Sequence, residues 1–184
     1  MKTDPYSIID KYYKGHDQAR EVLIEHSEAV ALKAVQIAAK NKMPGSVRDF
    51  IREASLLHDI GMFLTYAPSI GCFGDKPYIC HGYLGHDLMV KEGFPEHALV
   101  CERHTGTGLT IEDIKNQGLP LPLRPMEPVS LPEKIIAYSD KFFSKDPGRL
   151  GIEQDLETVK NKLLKHGPEK VKIFESWHEQ FISG

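Results

Sequence analysis

Nine histidines in a chain of 184 residues raise one question first: which of them lie where water cannot satisfy the ring nitrogens. His26 stands three residues after Leu23 and four before Val30, so on a helix it shares an apolar stripe. His58 follows Ala54 by four and Ile51 by seven, which turns it inward as well. Asp140 has the same character, four after Ile136 and three before Phe143. A carboxylate buried without a partner is strongly destabilising, so something cationic is expected beside it. Inward His, His-Asp and Asp side chains from three helices point to a metal ion.

The adjacent pair His58-Asp59 carries its own geometry. Neighbouring helix positions diverge by about 100°, so two adjacent side chains reach one ion most easily at a helix end. Gly61 offers such an end, and the partial negative charge of a helix C-terminus favours a cation. A solvated surface pair is the bland alternative for an isolated His-Asp; the register of His26 and Asp140 argues against it here. Nitrogen and oxygen ligands without a thiolate suit Fe, Mn, Co, Ni or Zn.

The elements that must position these groups read as helices, and no segment alternates like a half-buried strand. After a short leader around residues 6–14, Gly15 breaks the chain and Asp17 can cap a long helix that ends at Met43-Pro44-Gly45. Ser46-x-x-Asp49 resembles a capping box opening a second helix. Residues 65–80 hold Pro68, Gly71, Gly74 and Pro77 among Tyr66, Phe73 and Tyr78, and read as a long loop. Further helices are expected over 81–92, from Pro95 to about 105, from the capping box Ser130-x-x-Glu133 through Phe143, and over 151–166 and 168–182. The stretch 117–128, with four prolines, must be extended. The expected fold class is all-α, a compact bundle of five to seven helices with a metal site in the core.

His26, His58-Asp59 and Asp140 together resemble the H…HD…D signature of the HD superfamily of metal-dependent phosphohydrolases, and Leu56-Leu57-His58-Asp59-Ile60-Gly61 resembles its HDIG variant. The resemblance covers about residues 21–143 and implies one HD domain over 1–184, with C-terminal helices at about 151–182. Cys80-His81-Gly82-x-x-Gly85 and Arg103-His104-Thr105-x-x-Gly108 look like the extra histidines of subfamilies that bind two metals. The segments around His81, His104 and Asp140 are similar to those of HD-type symmetrical diadenosine tetraphosphatases and of HDIG proteins of unassigned substrate. Two departures bear on the substrate rather than the reaction: a proline-rich insertion over 110–130, and the run Lys141 to Pro147 after the last Asp.

The implied metal ligands are thus His26, His58, Asp59 and Asp140 for one divalent ion, and His81 and His104 for a second, with Asp59 spanning both. A hydroxide between two such ions attacks a phosphoryl group at neutral pH, so His58 and Asp59 are the residues on which the chemical step depends and no Ser or Cys nucleophile is needed. Candidate phosphate contacts are Arg103, Lys141 and Lys145, which flank metal ligands. Tyr66, Phe73 and Tyr78 could stack on a base or pack their loop to the body. His97 could share the face of His104 but sits in a first turn beside Glu96. His16, His86, His166 and His178 read as surface or polar-face residues, and Trp177 as core or lid support.

A net charge of −3 with 27% charged and 41% hydrophobic residues suits a globular domain and argues against a nucleic-acid coat. Any phosphate recognition should be local, by a small phosphorylated molecule such as a nucleotide, with homo-oligomerisation left open. An N-terminus without an apolar stretch behind its Lys and three cysteines without C-x-x-C spacing fit a cytoplasmic protein with no membrane span and no disulfide framework. Two rival readings share the ligand set: a di-iron HD-type oxygenase and an inactive HD binding or signalling module.

Overall fold

A computed structural model describes residues 4–183. The described chain is all-α apart from one two-stranded ribbon. Its elements are α1 (Pro5–Tyr12), α2 (Asp17–Lys40), α3 (Gly45–Leu57), β1 (Tyr66–Ala67), β2 (Cys72–Phe73), α4 (His81–Lys91), α5 (Pro95–Arg103), α6 (Ile111–Asn116), α7 (Leu131–Asp140), α8 (Leu156–Leu164) and α9 (Pro168–His178), which continues as a π turn over Glu179–Ser183. The seven helices expected from the pattern are present, and the short α1 and α6 join them. No described helix is long and apolar enough to cross a membrane.

The 24 residues of α2, about 36 Å of helix, organise the interior because their apolar stripe serves two cores in turn. Val30, Ala34 and Ile37 pack with Ile51 and Ala54 of α3, Ile135 and Tyr138 of α7, Val159 of α8 and Phe174 and Trp177 of α9. Leu23, Val22 and Ala19 pack instead with Ile9 of α1, Leu57, Cys72, Met89 of α4 and Cys101 of α5. His26 falls between the two sets, so the histidine is buried at the seam where both cores meet. Trp177 is core.

Capping sets where several helices begin. At α7 the expected box is formed: Ser130 Oγ accepts from Glu133 N (3.3 Å) and Glu133 Oε1 accepts from Ser130 N (3.3 Å). At α2, His16 holds the cap position without a side-chain bond, and Asp17 is already helical, contributing only its negative charge to the first turn. At α3 the cap is Pro44, whose extended backbone starts the helix at Gly45 and leaves Ser46 inside it rather than capping it. Thr110 and Asp113 form a second complete box that opens α6, so the insertion over 110–130 is partly helical. Residues 117–128 carry no regular element, and Leu109 and Met126 pin them down with two backbone hydrogen bonds (3.0 and 2.9 Å). The segment 65–80 is more ordered than a free loop. β1 and β2 pair antiparallel, Tyr66 opposite Phe73, between single turns of 3-10 helix.

Gly61 acts by closeness and not as the stop of a helix, since α3 ends at Leu57. A Cβ at Gly61 would lie 2.4 Å from both Gly85 N and His81 O. The missing side chain therefore lets the turn after His58-Asp59 rest directly on α4. Gly82 does the same for α4 on α5, where a Cβ would lie 2.9 Å from Cys101 O. Backbone atoms cannot swing away from an added methyl, and overpacking of this kind costs about 1–3 kcal/mol or more. Gly61→Ala is expected to lower Tm by roughly 5 °C in a thermal melt and to reduce the metal content, because it pushes His81 away from Asp59.

Candidate metal centre

Six buried side chains converge at the seam between the two cores. His26 comes from the middle of α2, His58 and Asp59 from the turn that ends α3, His81 from the first residue of α4, His104 from the residue after α5, and Asp140 from the last residue of α7. Five of the six therefore lie at helix ends or in the turn beyond, where adjacent side chains can aim at one point. Their ligand atoms form two groups, His26, His58, Asp59 and Asp140, and Asp59, His81 and His104, the atoms of each lying within 4.8 Å of one another. Asp59 belongs to both. Its Oδ2 lies 3.3 Å from His26 Nε2 and 3.0 Å from His58 Nε2, while its Oδ1 lies 3.2 Å from His81 Nε2 and 3.3 Å from His104 Nε2.

His26 Nε2 and Asp140 Oδ1 share a hydrogen bond at 2.9 Å, but several of the other atoms are close without being paired. Both Asp59 oxygens and His58 Nε2 are buried without an aligned hydrogen bond. Three imidazoles are held from behind: His58 Nδ1 lies 2.6 Å from Ser55 O, His81 Nδ1 2.7 Å from Tyr78 O and His104 Nδ1 2.8 Å from Cys101 O. A carbonyl can only accept, so each Nδ1 carries a proton and each Nε2 is the ring's ligand atom, as outer-shell partners set in metal sites. His81 Nε2 and His104 Nε2 face each other at 3.0 Å. Two lone pairs at that distance repel unless a cation lies between them.

The electrostatics agree. Burial pulls the His81 pKa down to about 3 and also lowers that of His104, so both stay neutral and available as ligands. For His58 burial acts in the same direction, but the Asp59 and Asp140 carboxylates overcome it and raise the pKa to about 9. Burial alone would raise the pKa of both carboxylates, yet they are held well below the usual range. His58 and Lys145 do this for Asp59, and Lys141 and Lys145 for Asp140. The group thus attracts positive charge, and a metal ion would replace a proton on His58. The donor set and the unpaired buried atoms fit divalent metal ions.

A cavity of about 920 Å³ opens beside this centre, at the upper end of the range for small-molecule sites. Asp140, Lys141, Lys145 and Tyr78 lie on its wall. Lys145 Nζ is 2.6 Å from Asp59 Oδ2, and Lys141 Nζ is 2.7 Å from Asp140 Oδ2. Arg103 is placed differently. Its guanidinium binds Glu133 Oε2 at 3.0 Å, tying the end of α5 to the first turn of α7, and it does not line the cavity. Its charge is taken up in holding His104 and Asp140 on neighbouring helices.

Tyr66 and Phe73 are 63% and 68% exposed and stand off the cavity as a cross-strand pair; Tyr78 alone of the three aromatics lines it. His97 packs between Phe50 and Phe94, away from the ligand groups. His178 accepts or donates at 2.7 Å to the Tyr138 hydroxyl, and His86 pairs with Asp87 at the surface. His166 and Lys162 of the C-terminal segment reach the cavity wall. So does Thr107, which follows His104 by three residues. Nothing in local pattern marks these three, because the walls are assembled from segments far apart in sequence.

The family model for the HD domain matches residues 23–144, a stretch that begins just before His26 and closes just after Asp140. The chain belongs to the HD-domain family. This HD protein is 32% identical over 156 residues to the uncharacterized protein MJ0778 of Methanocaldococcus jannaschii, with 83% of this chain and 84% of that one covered. It is 28% identical over 168 residues to the tRNA (cytidine(56)-2'-O)-methyltransferase of Picrophilus torridus. That match takes in 91% of this chain but only 43% of the methyltransferase. Its fold is similar to the HD domain of the L. monocytogenes phosphodiesterase PgpH, with a TM-score of 0.53 at 16% identity, over 96% of this chain and 97% of that one.

The shared carboxylate separates the variants. Asp59→Ala or His58→Ala is expected to abolish metal binding at the first group, and Asp59→Ala to empty the second as well. His81→Ala or His104→Ala should lower the stoichiometry from two ions per chain to one. Elemental analysis of the purified, metal-saturated proteins checks all four.

Proposed function

We propose that this HD-domain protein is a metal-dependent phosphohydrolase that cleaves a small phosphoester or phosphoanhydride, with nucleotides as the substrate class. One observation carries the reading: two ligand groups share Asp59, and Asp140 of the first group lines a cavity together with Lys141 and Lys145. His26, His58, Asp59 and Asp140 would hold one divalent ion and Asp59, His81 and His104 a second. When bound, such ions generate a nucleophile from water at neutral pH and neutralise charge on a phosphoryl group.

The chain's own groups do the rest. Lys145 touches the Asp59 carboxylate and also lines the cavity, so a single ammonium serves the centre and an anion lying against it. Lys141 has the same double contact through Asp140. Ile70, Ile79, Leu119, Phe143, Val159 and Leu163 supply apolar walls against which a base or another flat group can lie. Val159 and Leu163 belong to α8, so the C-terminal helices work as part of one unit with the HD core. Burial of all six ligands keeps bulk water from the reacting groups.

Chelation followed by dialysis is expected to abolish hydrolysis, and Mn, Co, Ni, Fe or Zn supplied singly to restore it to different extents. The assay is a screen over nucleotides, dinucleoside polyphosphates and p-nitrophenyl phosphate. Hydrolysis that proceeds equally under anaerobic conditions separates this reading from an oxygenase. Lys145→Ala should retain its metal and lose about 10-fold or more in kcat/KM, the scale of a lost hydrogen bond to a charged group.

A further inference from the structure

Two hydroxyls on the cavity wall are buried and have no hydrogen-bond partner among the described residues: Tyr78 Oη and Thr107 Oγ1. A buried hydroxyl left unpaired costs about 1–3 kcal/mol, and folded proteins leave few of them. Phe and Val would fill the same space without that cost.

The surroundings fix where each hydroxyl points. Tyr78 stands three residues before His81, and its carbonyl receives the His81 Nδ1 proton at 2.7 Å. Its ring stacks on the His81 imidazole, with centroids 4.8 Å apart and planes 26° from parallel. A ring clamped in this way cannot turn its hydroxyl out to water. The Lys145 ammonium lies beside the hydroxyl, and since an ammonium only donates, the Tyr78 hydroxyl proton is left without an acceptor. Thr107 is only 4% exposed and stands three residues after His104, in a turn closed by Gly108 N donating to Thr105 O at 2.9 Å. Each hydroxyl is thus attached through a short, rigid piece of backbone to a histidine of the second ligand group. Their positions relative to that group are set before any substrate arrives.

We infer that the hydroxyls of Tyr78 and Thr107 donate hydrogen bonds to the phosphoryl oxygens of the substrate held in the cavity. The inference rests on the phosphohydrolase reading for the nature of the ligand, and it adds two neutral donors to the cationic contacts of Lys141 and Lys145. A hydroxyl suits this position because it satisfies an oxyanion without adding a charge that would compete with the histidines for Asp59. Both residues bind and orient the phosphoryl group; neither is asked to transfer a proton.

The test uses the metal-loaded full chain as wild type, Tyr78→Phe and Thr107→Val. Each variant keeps the shape of the side chain, and Phe keeps the stack on His81. Inorganic phosphate is the binding probe, followed by calorimetry, and p-nitrophenyl phosphate is the kinetic one. Each variant is expected to bind phosphate about 10-fold more weakly and to show a raised KM, with metal stoichiometry unchanged and a Tm equal to or above that of the wild type. Wild-type phosphate affinity and KM in either variant overturn the assignment of that hydroxyl, whatever the activity. Phosphate binding that depends on both hydroxyls, in a protein that hydrolyses no phosphate compound with any metal, supports the contacts and overturns the phosphohydrolase reading instead.

Discussion

A carboxylate with no contact to solvent, as Asp59 has, is stable only where positive charge meets both of its oxygens. The fold brings that charge from opposite sides: His26, His58 and Lys145 at Oδ2, and His81 and His104 at Oδ1. Two of these groups, His81 and His104, are held neutral by their own burial, so they cannot supply charge as imidazolium ions. They can supply lone pairs. The Oδ1 side of Asp59 is therefore short of a cation in a way that only a ligand shared between carboxylate and imidazoles relieves. The Oδ2 side, where the Asp59 and Asp140 carboxylates push His58 toward protonation, likewise draws positive charge.

That requirement explains several features that would otherwise look unrelated. The apolar stripe of α2 divides into two cores at the place where His26 enters, because a polar cluster cannot be covered by one continuous apolar layer. The three-glycine arrangement of Gly61, Gly82 and Gly85 removes side chains between the HD turn, α4 and α5, and so shortens the distance from Asp59 to His81 and His104. The Arg103–Glu133 pair joins the ends of α5 and α7 that carry His104 and Asp140. Glu133 meanwhile caps α7, so a single carboxylate both starts the helix and ties it to its neighbour.

Legibility in the sequence followed the range over which each feature is decided. Short-range signals were read directly: the periodicity of α2, the box Ser130-x-x-Glu133 and the inward register of His26, His58 and Asp140 all depend on residues a few positions apart. The same kind of signal existed for α6, where Thr110-x-x-Asp113 has the capping spacing, but the prolines that follow obscured it. Other features depend on which segments meet. Arg103 flanks a ligand in sequence, as Lys141 and Lys145 do, and only the approach of Glu133 decides that its charge is used elsewhere. Gly61 signals a helix end by type, and its actual role shows only when α4 lies against it. Lys162 and His166 reach the cavity from α8 and the turn after it, more than twenty residues beyond Asp140.

The origin of each group suggests how this scaffold separates its tasks. The six clustered side chains come from helices or from turns locked to them by imidazole-to-carbonyl bonds, and they sit between two packed cores where a displacement would disturb many neighbours. The groups that face the cavity come mostly from connecting segments: Tyr78 from a 3-10 turn, Thr107 from the turn after His104, Lys141 and Lys145 from the chain after α7, and Leu119 from the insertion. Connections tolerate change in sequence and length better than the packed elements they join. A change in the insertion or in the segment after Asp140 would therefore alter what the cavity accepts while leaving the ligand geometry in place. The reverse does not hold, since a shift of α2 or α7 moves His26 or Asp140 directly. Holding the cluster of six side chains and shaping the cavity are thus assigned to different parts of the chain, by the difference between a side chain held in a packed core and one held by a loop.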